Sequence, residues 1–167
     1  MSRRKVVIMG AAGRDFHNFN CVYRGNDHYE VVAFTAEQIP GIETRRYPAV
    51  LAGEDLYPDG IPIYPGSELE KIIAETGADE VVYALSDVSS QKVMDNAARA
   101  NAAGAHFTLL GTRETQVAST KPVVSVCAVR TGCGKSPASR RVTAILRDMG
   151  LQTVAIRHPM PYGDLAE

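Results

Sequence analysis

The residues best suited to chemistry lie in one run, Arg130-Thr131-Gly132-Cys133-Gly134-Lys135-Ser136. The phosphate-loop (Walker A) pattern is a glycine, four residues, then Gly-Lys-Ser or Gly-Lys-Thr. Gly134-Lys135-Ser136 matches the end of it, while Val129 stands at the leading glycine position. The flanks supply the expected context. Residues 123–129 read as a buried strand, and Val142, Ile145, Leu146 and Met149 recur on one helix face. Gly132 and Gly134 allow backbone N–H groups of the loop, with Thr131 and Cys133 between and beside them, to turn around phosphate oxygens. A helix N-terminus adds a positive dipole end, and Pro137 falls where a first-turn proline is tolerated. Lys135 is the candidate catalytic cation on the β- and γ-phosphates, and Ser136 the candidate Mg²⁺ ligand. Arg130 fits either a second catalytic charge or a solvated loop arginine. Cys133 sits where a helix N-terminus activates a thiol, but it reads better as a small loop residue. The cofactors expected are ATP or GTP with Mg²⁺.

Such a loop must be held by strands and helices, and the chain alternates them. Apolar runs at 5–9, 30–35, 61–64, 80–85 and 105–110 have the length and composition of strands buried on both faces. One helix is expected from an N-cap at Ser67, with Glu68 and Glu70 in its first turn, Leu69, Ile72 and Ile73 on one face, and Gly77 as its stop. Another is expected from Ser89 or Ser90 through Val93, Met94, Ala97 and Ala98 to Gly104. This order predicts an α/β fold: a Rossmann-like doubly wound parallel sheet over 1–120, then the first part of a P-loop NTPase domain over 121–167. The boundary falls in the polar stretch 112–121. Residues 38–60, with Pro40, Pro48, Pro58 and the Arg45-Arg46 pair, read as an irregular excursion that is either a substrate loop or a surface connection.

The first strand runs into Gly10-Ala11-Ala12-Gly13-Arg14-Asp15. The turn resembles a dinucleotide-binding turn without its Gly-x-Gly-x-x-Gly spacing. Thr35 stands at the expected end of the second strand, with Glu37 two residues on, where a dinucleotide reader carries an acid. A small anionic ligand is therefore favoured over NAD. Gly10, Gly13, Arg14, Asp15, His17 and Asn18 are the candidate substrate residues. Arg14, Arg45 and Arg46 are candidate anion clamps or plain surface charge. The polar group around His17 and Asn20 also fits a purely structural loop. Ser86-Asp87, past the strand at 80–85, suits a ligand contact or a helix cap.

Composition removes several classes. The chain has 167 residues, a net charge of −1 and 45% hydrophobic residues. That gives no electrostatic ground for a nucleic acid or an anionic membrane as partner. No apolar run reaches the ~18 residues of a membrane span. Cys21, Cys127 and Cys133 make an odd set without metal-ligand spacing, which fits a reducing, cytoplasmic setting.

The loop residues 126–136, the segment Arg157-His158-Pro159-Met160-Pro161-Tyr162-Gly163-Asp164-Leu165 and the opening 9–20 together resemble the cyclic 2,3-diphosphoglycerate synthetase family and P-loop relatives loosely called GTPases. The resemblance implies a ligase-type enzyme that uses ATP to close an intramolecular phosphoanhydride in 2,3-diphosphoglycerate. It carries Gly132, Gly134, Lys135 and Ser136 over as nucleotide contacts, with His158 and Asp164 as weaker site residues. Members of that family are longer, so the expectation is an N-terminal fragment, inactive alone, without a second acidic strand end or a base-recognition loop. Two other readings stay open: a GTPase or ATPase switch of metallochaperone type, and a non-enzymatic nucleotide- or CoA-binding module. An uncovered strand at 152–157 would invite pairing with another copy.

Overall fold

The computed structural model describes residues 2–37, 41–42, 44–128 and 132–156. They divide into two compact units, one within 2–117 and the other within 118–156.

The first unit is built on β1 (Arg4–Met9), β2 (Tyr29–Ala36), β3 (Arg46–Tyr47), β4 (Ile61–Pro65), β5 (Glu80–Tyr83) and β6 (His106–Thr108) in one six-stranded sheet of order β3-β4-β2-β1-β5-β6. All pairings are parallel except β3 with β4. β1 lies centrally, and its last four residues are buried on both faces, as a parallel strand covered by helices requires. Val6 and Ile8 face one core; Val7 and Met9 face the other. The first core is aromatic. Phe16 stacks on Tyr47 with centroids 4.8 Å apart and meets Phe34 edge-on at 5.0 Å. The second core is mostly aliphatic and gathers Leu69, Ile72, Ile73 and Ala100 from the helices, with Tyr83 against Phe107.

The connections follow the expected alternation with local corrections. α1 (Arg14–Asn18) leads into a π-helical turn, Phe19–Tyr23. A 3₁₀ turn, Gly66–Glu68, precedes α3 (Leu69–Thr76), so Ser67 lies inside that turn and makes no cap, while Gly77 in the left-handed region does end the helix. Ser89 caps α4 (Ser90–Ala102) by accepting from the Lys92 N–H at 3.2 Å. The described part of 38–60 is not wholly irregular: it holds β3 and α2 (Ala49–Ala52). α5 (Thr112–Thr115) ends the unit.

The second unit contains α6 (Lys135–Asp148), and none of its described residues is buried. Residues 123–128 and 152–156, both expected as strands, form none here. A strand needs a neighbour for its N–H and C=O groups, and the described residues of this unit offer no such ladder.

Candidate functional site

Two glycine-shaped turns could hold an anion, one in each unit. In the second unit, Gly132 and Gly134 have φ of +82° and +85°, and α6 starts at the next residue, Lys135. That left-handed backbone explains two glycines around Cys133. The first N–H groups of any helix have no intrahelical acceptor, so those of Lys135 and Ser136 at the start of α6 can face an anion. Pro137, third in the helix, has no N–H, and the first helical bond runs from the Ala138 N–H to the Gly134 carbonyl at 3.2 Å. Gly132, Cys133, Gly134, Lys135, Ser136 and Pro137 are all exposed to solvent. The structure thus groups these six residues at one loop and helix start. Arg130, Thr131, His158 and Asp164 lie outside the described residues.

In the first unit, the sheet order reverses between β1 and β5, and ligands of open α/β sheets bind at the carboxyl ends of strands at such a point. The Gly10–Gly13 turn stands there, and a side chain already fills it. The Asp15 carboxylate accepts from the N–H groups of Ala12 (2.9 Å), Gly13 (2.7 Å) and Phe16 (2.8 Å). Asp15 is only 2% exposed. The same packing dictates glycine at position 10: its φ is +128°, and a Cβ would come within 2.5 Å of the Asp15 Oδ2. Among the other candidates, Arg14 is exposed, while Asn18 is buried with its Oδ1 lacking a hydrogen-bond partner. His17 Nε2 lies 2.6 Å from the Thr115 carbonyl.

The strand ends also redraw the acid after β2. β2 extends to Ala36, so Glu37 is the first residue beyond it rather than two past the end. Its carboxylate reaches Lys92 Nζ at 3.9 Å and packs over Gly66, where a Cβ would make it shift. The Arg46 guanidinium donates to the carbonyls of Asp59 (2.5 Å) and Gly60 (2.9 Å). Burial pushes the phenols of Tyr47 and Tyr57 above their usual range. The protonated Tyr57 hydroxyl accepts from the Val31 N–H at 2.8 Å. Among the described residues no group of three or more His, Cys, Asp or Glu is placed to hold a metal, and no helix is long and apolar enough to cross a membrane.

Sequence reasoning passed over Cys21 and Thr115, which meet His17. The spacing of His17 and Cys21, four residues apart on a helix, was a usable signal; the arrival of Thr115 was not, because it depends on how α5 folds back.

Fold and loops together define an α/β protein with a doubly wound, mostly parallel sheet and a separate glycine-loop–helix unit. No protein-family model matches the chain. It is 62% identical over 163 residues to a protein named arginine synthetase ArcE from Thermococcus kodakarensis, an alignment covering 98% of this chain and 36% of that protein. The relative's name is that of a synthetase, not of a cyclic 2,3-diphosphoglycerate synthetase. Among solved structures, UDP-D-quinovosamine 4-dehydrogenase from Vibrio fischeri shares 20% identity at a TM-score of 0.49, covering 66% of this chain and 80% of that one.

Proposed function

We propose that this chain carries part of a nucleotide-dependent synthetase in which the loop ending at Lys135-Ser136 holds the nucleotide phosphates. The observation that carries the reading is the left-handed backbone at Gly132 and Gly134 leading directly into α6. A helix start exposes a positive dipole end that favours an anion, and the residue types suit one. When bound, ATP (or GTP) would supply the transferable phosphoryl group, and Mg²⁺ would offset its charge. Lys135 would hold the β- and γ-phosphates through its ammonium, and Ser136 would supply a hydroxyl to the metal. Arg130 and Thr131 precede Gly132 in sequence, and Arg130 would add a second cation. Charge neutralisation and positioning, rather than covalent participation by the protein, carry such transfers.

The relative's name directs the substrate side of the reading toward arginine. In the first unit the Asp15 carboxylate occupies the turn that a dinucleotide phosphate would use, which supports a role other than cofactor binding for that turn. The resemblance of 126–136 and 157–165 to cyclic 2,3-diphosphoglycerate synthetases favours a second reading, with a phosphorylated acid as substrate and His158 and Asp164 at its site.

Equilibrium dialysis of ATP and GTP with Mg²⁺ tests the nucleotide site. Lys135→Ala is expected to weaken binding about 100-fold or more, as losing a charge-assisted contact to phosphate does. Undiminished affinity overturns the loop assignment. The substrate is tested on a protein of the relative's full length: nucleotide turnover linked to arginine supports the first reading, and turnover requiring 2,3-diphosphoglycerate supports the second.

A further inference from the structure

Cys21, His17 and Thr115 form a cluster in the first unit that the nucleotide chemistry does not use. Cys21 lies in the π-helical turn that continues α1, and its thiol is exposed. His17, one turn earlier, places Nε2 3.5 Å and Nδ1 3.8 Å from the Cys21 sulfur. The third member is the Thr115 carbonyl at the end of α5, 2.6 Å from His17 Nε2. A helix leaves its last carbonyls without intrahelical donors, so this oxygen can receive a side-chain N–H, and the Cys21 thiol also lies 3.8 Å from it. A carbonyl only accepts. The short contact therefore requires the proton of the neutral ring on Nε2, and leaves the lone pair on Nδ1. The ring is oriented by the Thr115 carbonyl, and Nδ1, its remaining basic nitrogen, lies 3.8 Å from the Cys21 sulfur, which itself reaches the same carbonyl at 3.8 Å. A nucleophile, a base within reach and a group that orients the base are the elements of an assisted nucleophile.

We propose that Cys21 is a thiol-modification site, with His17 as its proton acceptor and low-molecular-weight disulfides as its reagents. The Cys21 proton passes to His17 Nδ1, and the thiolate sulfur attacks one sulfur of the disulfide along its S–S axis. The new S–S bond forms as the old one breaks. The departing thiolate takes the bonding electron pair and then the proton from His17, leaving as a free thiol. Cys21 is oxidised to the mixed disulfide, and half of the reagent is reduced. The exposure of the sulfur allows the reagent to approach, and the half-buried ring, fixed by Thr115, stays in place to receive the proton.

The site rests on contacts within the first unit and is independent of the nucleotide reading. The test treats the whole 167-residue chain with an excess of an aromatic disulfide, 5,5′-dithiobis(2-nitrobenzoate), at one pH, and follows adducts on each cysteine by peptide mass. Cys127, exposed and in the other unit, reports the unassisted rate in the same tube. Cys21 is expected to react at least about 10-fold faster than Cys127, a modest share of what a positioned base contributes. His17→Gln keeps an N–H for the Thr115 carbonyl but removes the base, and is expected to bring Cys21 down to the Cys127 rate without changing Cys127. Equal rates for Cys21 and Cys127 in the unaltered protein overturn the proposal without reference to any variant. So does a Cys21 advantage that persists in His17→Gln.

Discussion

Asp15 shows how one side chain decides what a turn is for. Three N–H groups converge on its carboxylate, and Gly10 lacks a side chain where that carboxylate lies. Removing the acceptor leaves donors that water reaches only in part, at about 1–3 kcal/mol for each donor left unsatisfied. Asp15→Ala is therefore expected to lower the unfolding free energy by about 2–4 kcal/mol. Asp15→Asn, which keeps one acceptor oxygen, should lose less. Urea unfolding of the two variants checks the order, and equal stability of Asp15→Ala and the unaltered chain would contradict this account of the turn.

Elements are joined by contacts that the periodicity of either one does not contain. α3 and α4 are tied by Arg99, whose guanidinium meets the Glu70 carboxylate at 2.6 Å and also donates to the carbonyls of Gly66 and Ser67. The hydrogen bond from Arg99 lowers the Glu70 carboxyl from 4.5 to about 2. Because the folded value lies below the unfolded one, the pair's contribution is present above pH ~4.5 and fades as pH falls toward ~2. Glu70 is 47% exposed on its side chain, so solvent screening keeps the effect small. Glu70→Gln is expected to be less stable than the unaltered chain at pH 6 and to match it near pH 2. Denaturant midpoints at the two pH values read this directly, and a difference that does not shrink at low pH would count against the pair. The apolar spacing of α3 and α4 was readable in sequence, and so was the Ser89 cap. The 3₁₀ turn before α3 was not, because Ser67 has the local chemistry of a cap and only the path of the chain from β4 moves it out of that role.

For the whole molecule, the contrast between the units governs behaviour. The first has two cores on the faces of one sheet, while no described residue of the second is buried. Backbone without burial opens readily to proteases. Brief trypsin treatment should cut first within α6, at Arg140, Arg141 or Arg147, and leave a folded product that retains residues 2–117. Mass spectrometry of the early products and circular dichroism of the survivor check this. First cuts within β1 to β6 would show that the order of stability is reversed. The chain spans 36% of the length of its Thermococcus kodakarensis relative, so activity is to be assayed at that relative's full length.

The sequence by itself determined the alternation of strands and helices in the first unit, the helix that follows the Gly132-Cys133-Gly134 turn, and the placing of glycine at both turns. Each is encoded locally, in apolar spacing or in residues that tolerate positive φ. Tertiary structure decided the strand order, the filling of the first turn by Asp15, the position of Glu37 directly after β2, and the meeting of His17 and Cys21 with Thr115. His17 and Thr115 are 98 residues apart in the chain. Contacts at that separation are set by how the sheet brings its connections together, which no local pattern in the sequence records.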